Sequence, residues 1–135
     1  MENLLDIGFL IESFPAIVAR LPITIGIAVG SLIISLFIGL ATALIKIYQV
    51  PVLKTISSFY VSFTRGTPLL VQIYLVFYGI PKVIYLVQTE YGLLQNFDVN
   101  IIAPEVYALL AFSINLGAYL SETIRSAIES VDRGQ

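Results

Sequence analysis

Few side chains in this sequence of 135 residues can do chemistry. There is no cysteine and no histidine, which excludes thiol nucleophiles, disulfides, the usual zinc sites and imidazole acid–base work. The remaining candidates are polar residues set into apolar sequence. Arg65-Gly66-Thr67-Pro68 interrupts one apolar stretch, and Gln72 follows it. A proline break frees backbone carbonyls, and membrane transporters place such breaks at hinges or near substrate. The plainer alternative is a helix start with Thr67 near its cap. Arg65 is a gate or latch candidate, against a topology anchor that snorkels to the headgroups. Gln72 and Asn115 are candidates for a substrate path, because a carboxamide donates and accepts at once, which suits a polar solute. The competing role is glue between helices, preferred for Gln72. Glu122 either faces a path through the membrane or, as preferred, pairs with Arg125 at i, i+3. No set of residues points to a metal or a cofactor.

The elements that must position these residues are apolar helices. Hydrophobic residues make up 58% of the chain and charged residues only 12%, with a mean hydropathy of +0.93. A soluble domain carries about 25% charge, so lipid is the expected solvent. The net charge of −2 and the lack of a basic block argue against nucleic acid. The sequence predicts an all-α transmembrane bundle with three spanning helices, at about residues 21–45, 56–80 and 104–124. Residues 1–19 form an external N-terminal segment, acidic at its start and without a cleavable signal. Pro22 is expected at the start of the first helix and Pro81 at the end of the second, which kinks at Pro68. Residues 82–104 are expected to be an external loop.

Charge sets the expected orientation. Lys46, Lys54, Arg65, Arg125 and Arg133 fall on one side of the spans, and Arg20 and Lys82 on the other. The excess of positive charge marks the cytoplasmic side, so the N-terminus is expected outside. Small residues recur at helical spacing: Gly26 and Gly30; Ser31, Ser35, Gly39 and Ala43; Ser113, Gly117 and Ser121. Such stripes let helix backbones approach, here as packing within one bundle. Tyr74, Tyr78, Tyr85, Tyr91 and Tyr107 read as an aromatic belt at the outer face.

Two longer runs carry a resemblance. The first is Arg65-Gly66-Thr67-Pro68-Leu69-Leu70-Val71-Gln72, continuing to Phe77, Tyr78, Gly79, Ile80 and Pro81. The second starts at Ser113-Ile114-Asn115-Leu116-Gly117-Ala118-Tyr119-Leu120-Ser121-Glu122 and continues through Arg125, Ile128, Ser130, Val131, Gly134 and Gln135. Thr24 and Gly39 add a weaker match. Over about residues 18–135 the chain resembles the permease subunits of ABC importers for polar amino acids. That resemblance implies residues 20–135 as the N-terminal part of an ABC transmembrane type-1 domain. It also implies partners: a second permease subunit, cytoplasmic ATPase subunits docked through a coupling helix, and an external solute-binding protein. ATP hydrolysis would belong to the separate subunit, and the chain itself would not be an enzyme. In the family the coupling helix begins just after the Gly134-Gln135 position, so the fold is expected to be incomplete. With three helices alone, Gln72, Asn115 and the serine stripes would face lipid. A membrane scaffold or assembly subunit is the competing function. A membrane enzyme is disfavoured, because the carboxylates lie in loops and interfaces rather than converging.

Overall fold

The computed structural model describes residues 7–131. Among them are four α-helices and one short 3-10 turn, with no strand: α1 (Ile7–Ile47), α2 (Leu53–Gly66), α3 (Leu69–Tyr91), the turn Val99–Ile101, and α4 (Pro104–Glu129). The all-α bundle follows from the apolar stretches, but its helix boundaries differ from expectation at residues 7–19, at Pro81, over the loop expected at 82–104, and at Pro68, where the one helix expected over 56–80 is two. The Arg133 and Gly134-Gln135 positions lie outside the described residues.

The first difference is α1. It starts at Ile7, not near residue 21, and runs through both Pro15 and Pro22. Residues 7–19, expected as an external segment, are therefore helical. The second is Pro81, which lies inside α3 rather than closing it. The third is the expected loop at 82–104, which shortens to residues 92–103 because α3 continues to Tyr91 and ends on Gly92 in the left-handed region (φ 64°). One physical reason covers these cases. An interior proline removes one backbone hydrogen bond, but ending a helix strands several backbone groups, and lipid cannot receive them. Continuing through the proline is the smaller cost.

The break at Pro68 is sharper than a kink. Thr67 and Pro68 are both extended, with ψ of 142° and 137°, so α2 and α3 are separate helices. With 23 residues, α3 is about 35 Å long and can cross a bilayer on its own. By length and composition α1 and α3 both qualify as spans. The 26 residues of α4 reach about 39 Å, but Ser113, Asn115, Ser121 and Glu122 lower its apolar character.

Those polar residues are turned inward. α4 packs against α1, α2 and α3. The largest fully buried side chains are Ser35, Ser113 and Ser121. Leu, Ile, Val and Phe side chains cover the outside instead, Phe37 and Phe59 among the most exposed. This inversion of a water-soluble core is what a lipid solvent selects: large apolar groups gain nothing by burial, and small ones allow close approach. The serine stripes and Gln72 are thus buried within these helices, contrary to the expectation that they face lipid. The serines need no partner from another helix. Ser35 Oγ donates to Leu32 O at 2.8 Å, Ser113 Oγ to Leu109 O at 2.6 Å and Ser121 Oγ to Ala118 O at 2.7 Å.

Gly39 and Gly117 mark the tightest point between α1 and α4. A Cβ on Gly39 would lie 2.9 Å from Leu120 Cβ, and one on Gly117 would lie 2.8 Å from Ile38 Cγ2. Gly30 is in the same seam, 3.1 Å from Leu109 Cδ1 by the same measure, whereas Gly26 faces open space. The G-x-x-x-G pair therefore packs through one member only. Tyr107 also departs from its expected place. It is 5% exposed and meets Phe77 edge-on at 5.4 Å, so it belongs to the core, while Tyr74, Tyr78, Tyr85 and Tyr91 are exposed.

Candidate functional site

The polar residues singled out in the sequence gather where α2 ends and α3 begins, against the middle and the end of α4. Gln72 sits one turn into α3, 6% exposed, and its side chain reaches back across the break. Its Nε2 lies 2.7 Å from Thr64 O, 3.1 Å from Thr67 O and 2.8 Å from Thr67 Oγ1. These acceptors lie in the last turn of α2 and at its C-cap, where carbonyls have no helical partner. Thr67 Oγ1 in turn donates to Phe63 O at 2.9 Å, so Thr67 caps the end of α2 rather than the start of a helix. Gln72 Oε1 accepts from Asn115 Nδ2 of α4 at 3.1 Å. One carboxamide thus closes the end of α2, fixes α3 to it and ties both to α4. Both of its N–H groups are committed to that task. Asn115 is half-buried, and its side chain makes only this one hydrogen bond among the described residues, leaving an N–H and Oδ1 available. Gly66 is the last residue of α2; a Cβ placed there would meet nothing within 4 Å, and its φ is not left-handed. Its smallness is not required by the local backbone.

Beyond the break lies an open cavity of about 800 Å³. Lys46 of α1, Lys54 and Arg65 of α2, and Glu122 and Arg125 of α4 bring their charges to it. Glu122 is bound by the Lys46 ammonium across the α1–α4 seam, with Arg125 Nη1 at 3.8 Å from its second oxygen. Arg125 is closer to Glu129, at 3.0 Å. The expected i, i+3 pair therefore exists but is secondary to a long-range pair with Lys46. Arg65 makes no ion pair among the described residues. Its guanidinium carbon lies 5.4 Å from the centroid of the Tyr119 ring, within cation–π range. Gln49 completes this end: its Nε2 donates to Lys46 O at 2.8 Å, and its Oε1 accepts from Lys54.

Lys46, Tyr60 and Tyr119 are not among the site candidates that the sequence offers. Tyr60 donates its hydroxyl to Ile114 O, next to Asn115, and lies over Gly117. A signal for Lys46 exists, since it and Glu122 each stand at the end of a charge-free run. Nothing in the local spacing pairs Tyr60 or Tyr119 with a partner.

No family model matches the chain. Individual proteins do. It is 34% identical over 135 residues to the L-cystine transport system permease protein TcyL of Bacillus subtilis (strain 168), which covers 100% of this chain and 53% of that protein. It is 37% identical over 131 residues to the nopaline transport system permease protein NocM of Agrobacterium fabrum (strain C58 / ATCC 33970), covering 97% of this chain and 52% of that one. The crystal structure of an amino acid ABC transporter with histidines superposes with a TM-score of 0.73 at 28% identity, over 98% of this chain and 55% of that chain. The chain is a homologue of amino-acid ABC transporter permease proteins. It spans about half the length of the curated relatives it matches. The matched region of this permease homologue includes the α2–α3 break, the Gln72 bridge and the basic cavity.

Proposed function

We propose that the chain is part of a permease subunit of an ATP-driven importer of polar amino acids, lying in a bacterial inner membrane with its N-terminus outside. The observation that carries this reading is the likeness along nearly the whole chain to amino-acid permeases, in sequence and in fold. In this reading α1, α3 and α4 cross the bilayer and line one side of the translocation path. Its partners are a second permease subunit, cytoplasmic ATPase subunits and an external solute-binding protein. Energy comes from the ATPase, and this chain does no covalent chemistry. The positive-charge count favours the orientation that puts the basic cavity on the cytoplasmic face. Asn115, with donor and acceptor both available, is the residue best suited to touch an amino acid, whereas Gln72 holds the break in place. Such a break has two rigid helices on either side, the arrangement that lets one move as a unit against the other.

The test is reconstitution of the full-length permease that carries this sequence, together with its second permease subunit, ATPase and binding protein, in proteoliposomes, reading uptake of labelled polar amino acids. Accumulation that needs both ATP and the binding protein is expected. An assembled complex that hydrolyses ATP without accumulating any polar amino acid would refute the substrate class. Absence of any ATPase association would refute the importer reading. Protease access to residues 92–103 from outside sealed cells checks the orientation, and access only from the inside would reverse it.

A further inference from the structure

We propose that the cavity between α2 and α4 is a phosphate site that holds the headgroup of an anionic phospholipid. The proposal rests on the membrane reading of the bundle and not on the transport reading. Its first ground is charge. The cavity is lined by Lys46, Lys54, Arg65 and Arg125 against the single carboxylate Glu122, in a chain whose net charge is −2. Lys46 is already matched by Glu122, and Arg125 by Glu129. Arg65 and Lys54 have no carboxylate partner among the described residues. Arg65 lies against the Tyr119 ring, within electrostatic reach of Glu122 but without a direct ion pair, and Lys54 touches only the neutral amide of Gln49. Glu122 is shared among Lys46, Arg125 and Arg65, so the cavity keeps an excess of positive charge. A guanidinium and an ammonium facing one open cavity suit a phosphate, which the guanidinium can grip with two parallel N–H bonds.

The second ground is the helix that walls the cavity. α2 is a short helix whose faces divide cleanly. Lys54, Ser58, Ser62 and Arg65 follow helical spacing along the cavity, and Ser58 and Ser62 add hydroxyl donors to its wall. Ile56, Phe59 and Phe63 follow the same spacing on an exposed face, with Phe59 and Phe63 stacked at 6.0 Å between centroids. Ser57, Val61 and Thr64 face the bundle. A helix with a basic face largely opposite an exposed aromatic and aliphatic one is built to lie at a bilayer interface, which sets the cavity at headgroup depth. A soluble phosphate would use the basic face and leave the apolar face unexplained. A phospholipid accounts for both, its phosphate in the cavity at headgroup depth and its acyl chains in the layer that the Phe59–Phe63 face enters. Basic pockets between membrane helices are a known physical basis for anionic headgroup recognition.

The experiment is native mass spectrometry of the chain released from nanodiscs of phosphatidylcholine containing phosphatidylglycerol, comparing wild type with the R65Q/K54Q variant. Glutamine keeps part of each aliphatic stem, and circular dichroism verifies that helicity is kept. K82Q, past the middle of α3 and outside the cavity, is the control. Each basic residue near an anionic headgroup contributes about fivefold, so the double variant should lose roughly 25-fold in phosphatidylglycerol affinity. Phosphatidylcholine retention and the K82Q variant should be unchanged. Equal phosphatidylglycerol retention by wild type and R65Q/K54Q, or no preference over phosphatidylcholine in the wild type, would overturn the proposal. Adding inorganic phosphate at millimolar concentration separates the sources. Retention of the lipid supports a headgroup site, and its displacement would overturn the lipid assignment in favour of a soluble anion.

Discussion

The α1–α4 seam and the α2–α3 junction hold the bundle together by opposite means. At the seam, attraction comes from what is missing: Gly39 and Gly117 lack side chains, and the serines turn their hydroxyls back on their own helices. At the junction it comes from what is added, a single long carboxamide reaching three acceptors and one donor. The seam is van der Waals contact between backbones and tolerates no extra atoms. The junction is a polar network and tolerates no missing atoms. A substitution that enlarges a residue should therefore damage the first, and one that removes polarity should damage the second.

The comparison breaks hardest at Gly117. G117L would drive a branched side chain into Ile38 and Tyr60, and overpacking of this kind costs about 3 kcal/mol or more when neither helix can yield. Loss of the folded state in detergent, read as helicity against denaturant, is the expected result. A G117L variant as stable as wild type would show that the seam is not close-packed.

At the junction, Q72L keeps the volume and removes the donors. Two or three membrane hydrogen bonds at about 0.6–1.7 kcal/mol each predict a loss of about 2 kcal/mol. The loss should be accompanied by faster exchange at the amides of α2 and early α3, leaving α1 unaffected. Uniform destabilisation instead would mean that the junction is not a separate unit.

A smaller effect is expected at the ion pair. K46M should cost about 1 kcal/mol, and E122Q added to it should cost little more, because the pair is already broken. A double-mutant cycle measures this coupling, and strict additivity would deny that the two residues interact. The smallest effect belongs to Gly26, which faces open space. G26A should be neutral or stabilise by up to about 1 kcal/mol through helix propensity, read from the same denaturant titration. A loss there would mean that Gly26 packs against a partner after all.

The sequence is most legible where physics is local. Pro68 stops a helix for reasons contained in its own ring, and the small residues at 31, 35 and 39 and at 113, 117 and 121 show their stripe by spacing alone. It misleads at Pro22 and Pro81, which obey the same ring chemistry yet lie inside helices, because the solvent penalises a broken helix more than a strained one. The difference at Pro68 is that Gln72 and Thr67 stand ready to receive the freed groups, and that supply is visible only once the chain is folded. Lys46 and Glu122 are each legible as interface charges, but 76 residues separate them and no pattern links them. Tyr107 looks like its exposed neighbours in composition and differs only in facing Phe77.

A bundle whose largest fully buried side chains are serines also has an unusual thermal character. When α1 parts from α4, the surfaces uncovered are small and partly polar, and they pass into hydrocarbon rather than into water. The heat-capacity change that bends the stability curve of a soluble protein arises from hydrating apolar surface, and this separation hydrates almost none. The enthalpy of pulling the helices apart should then be nearly constant with temperature, and cooling should not loosen them.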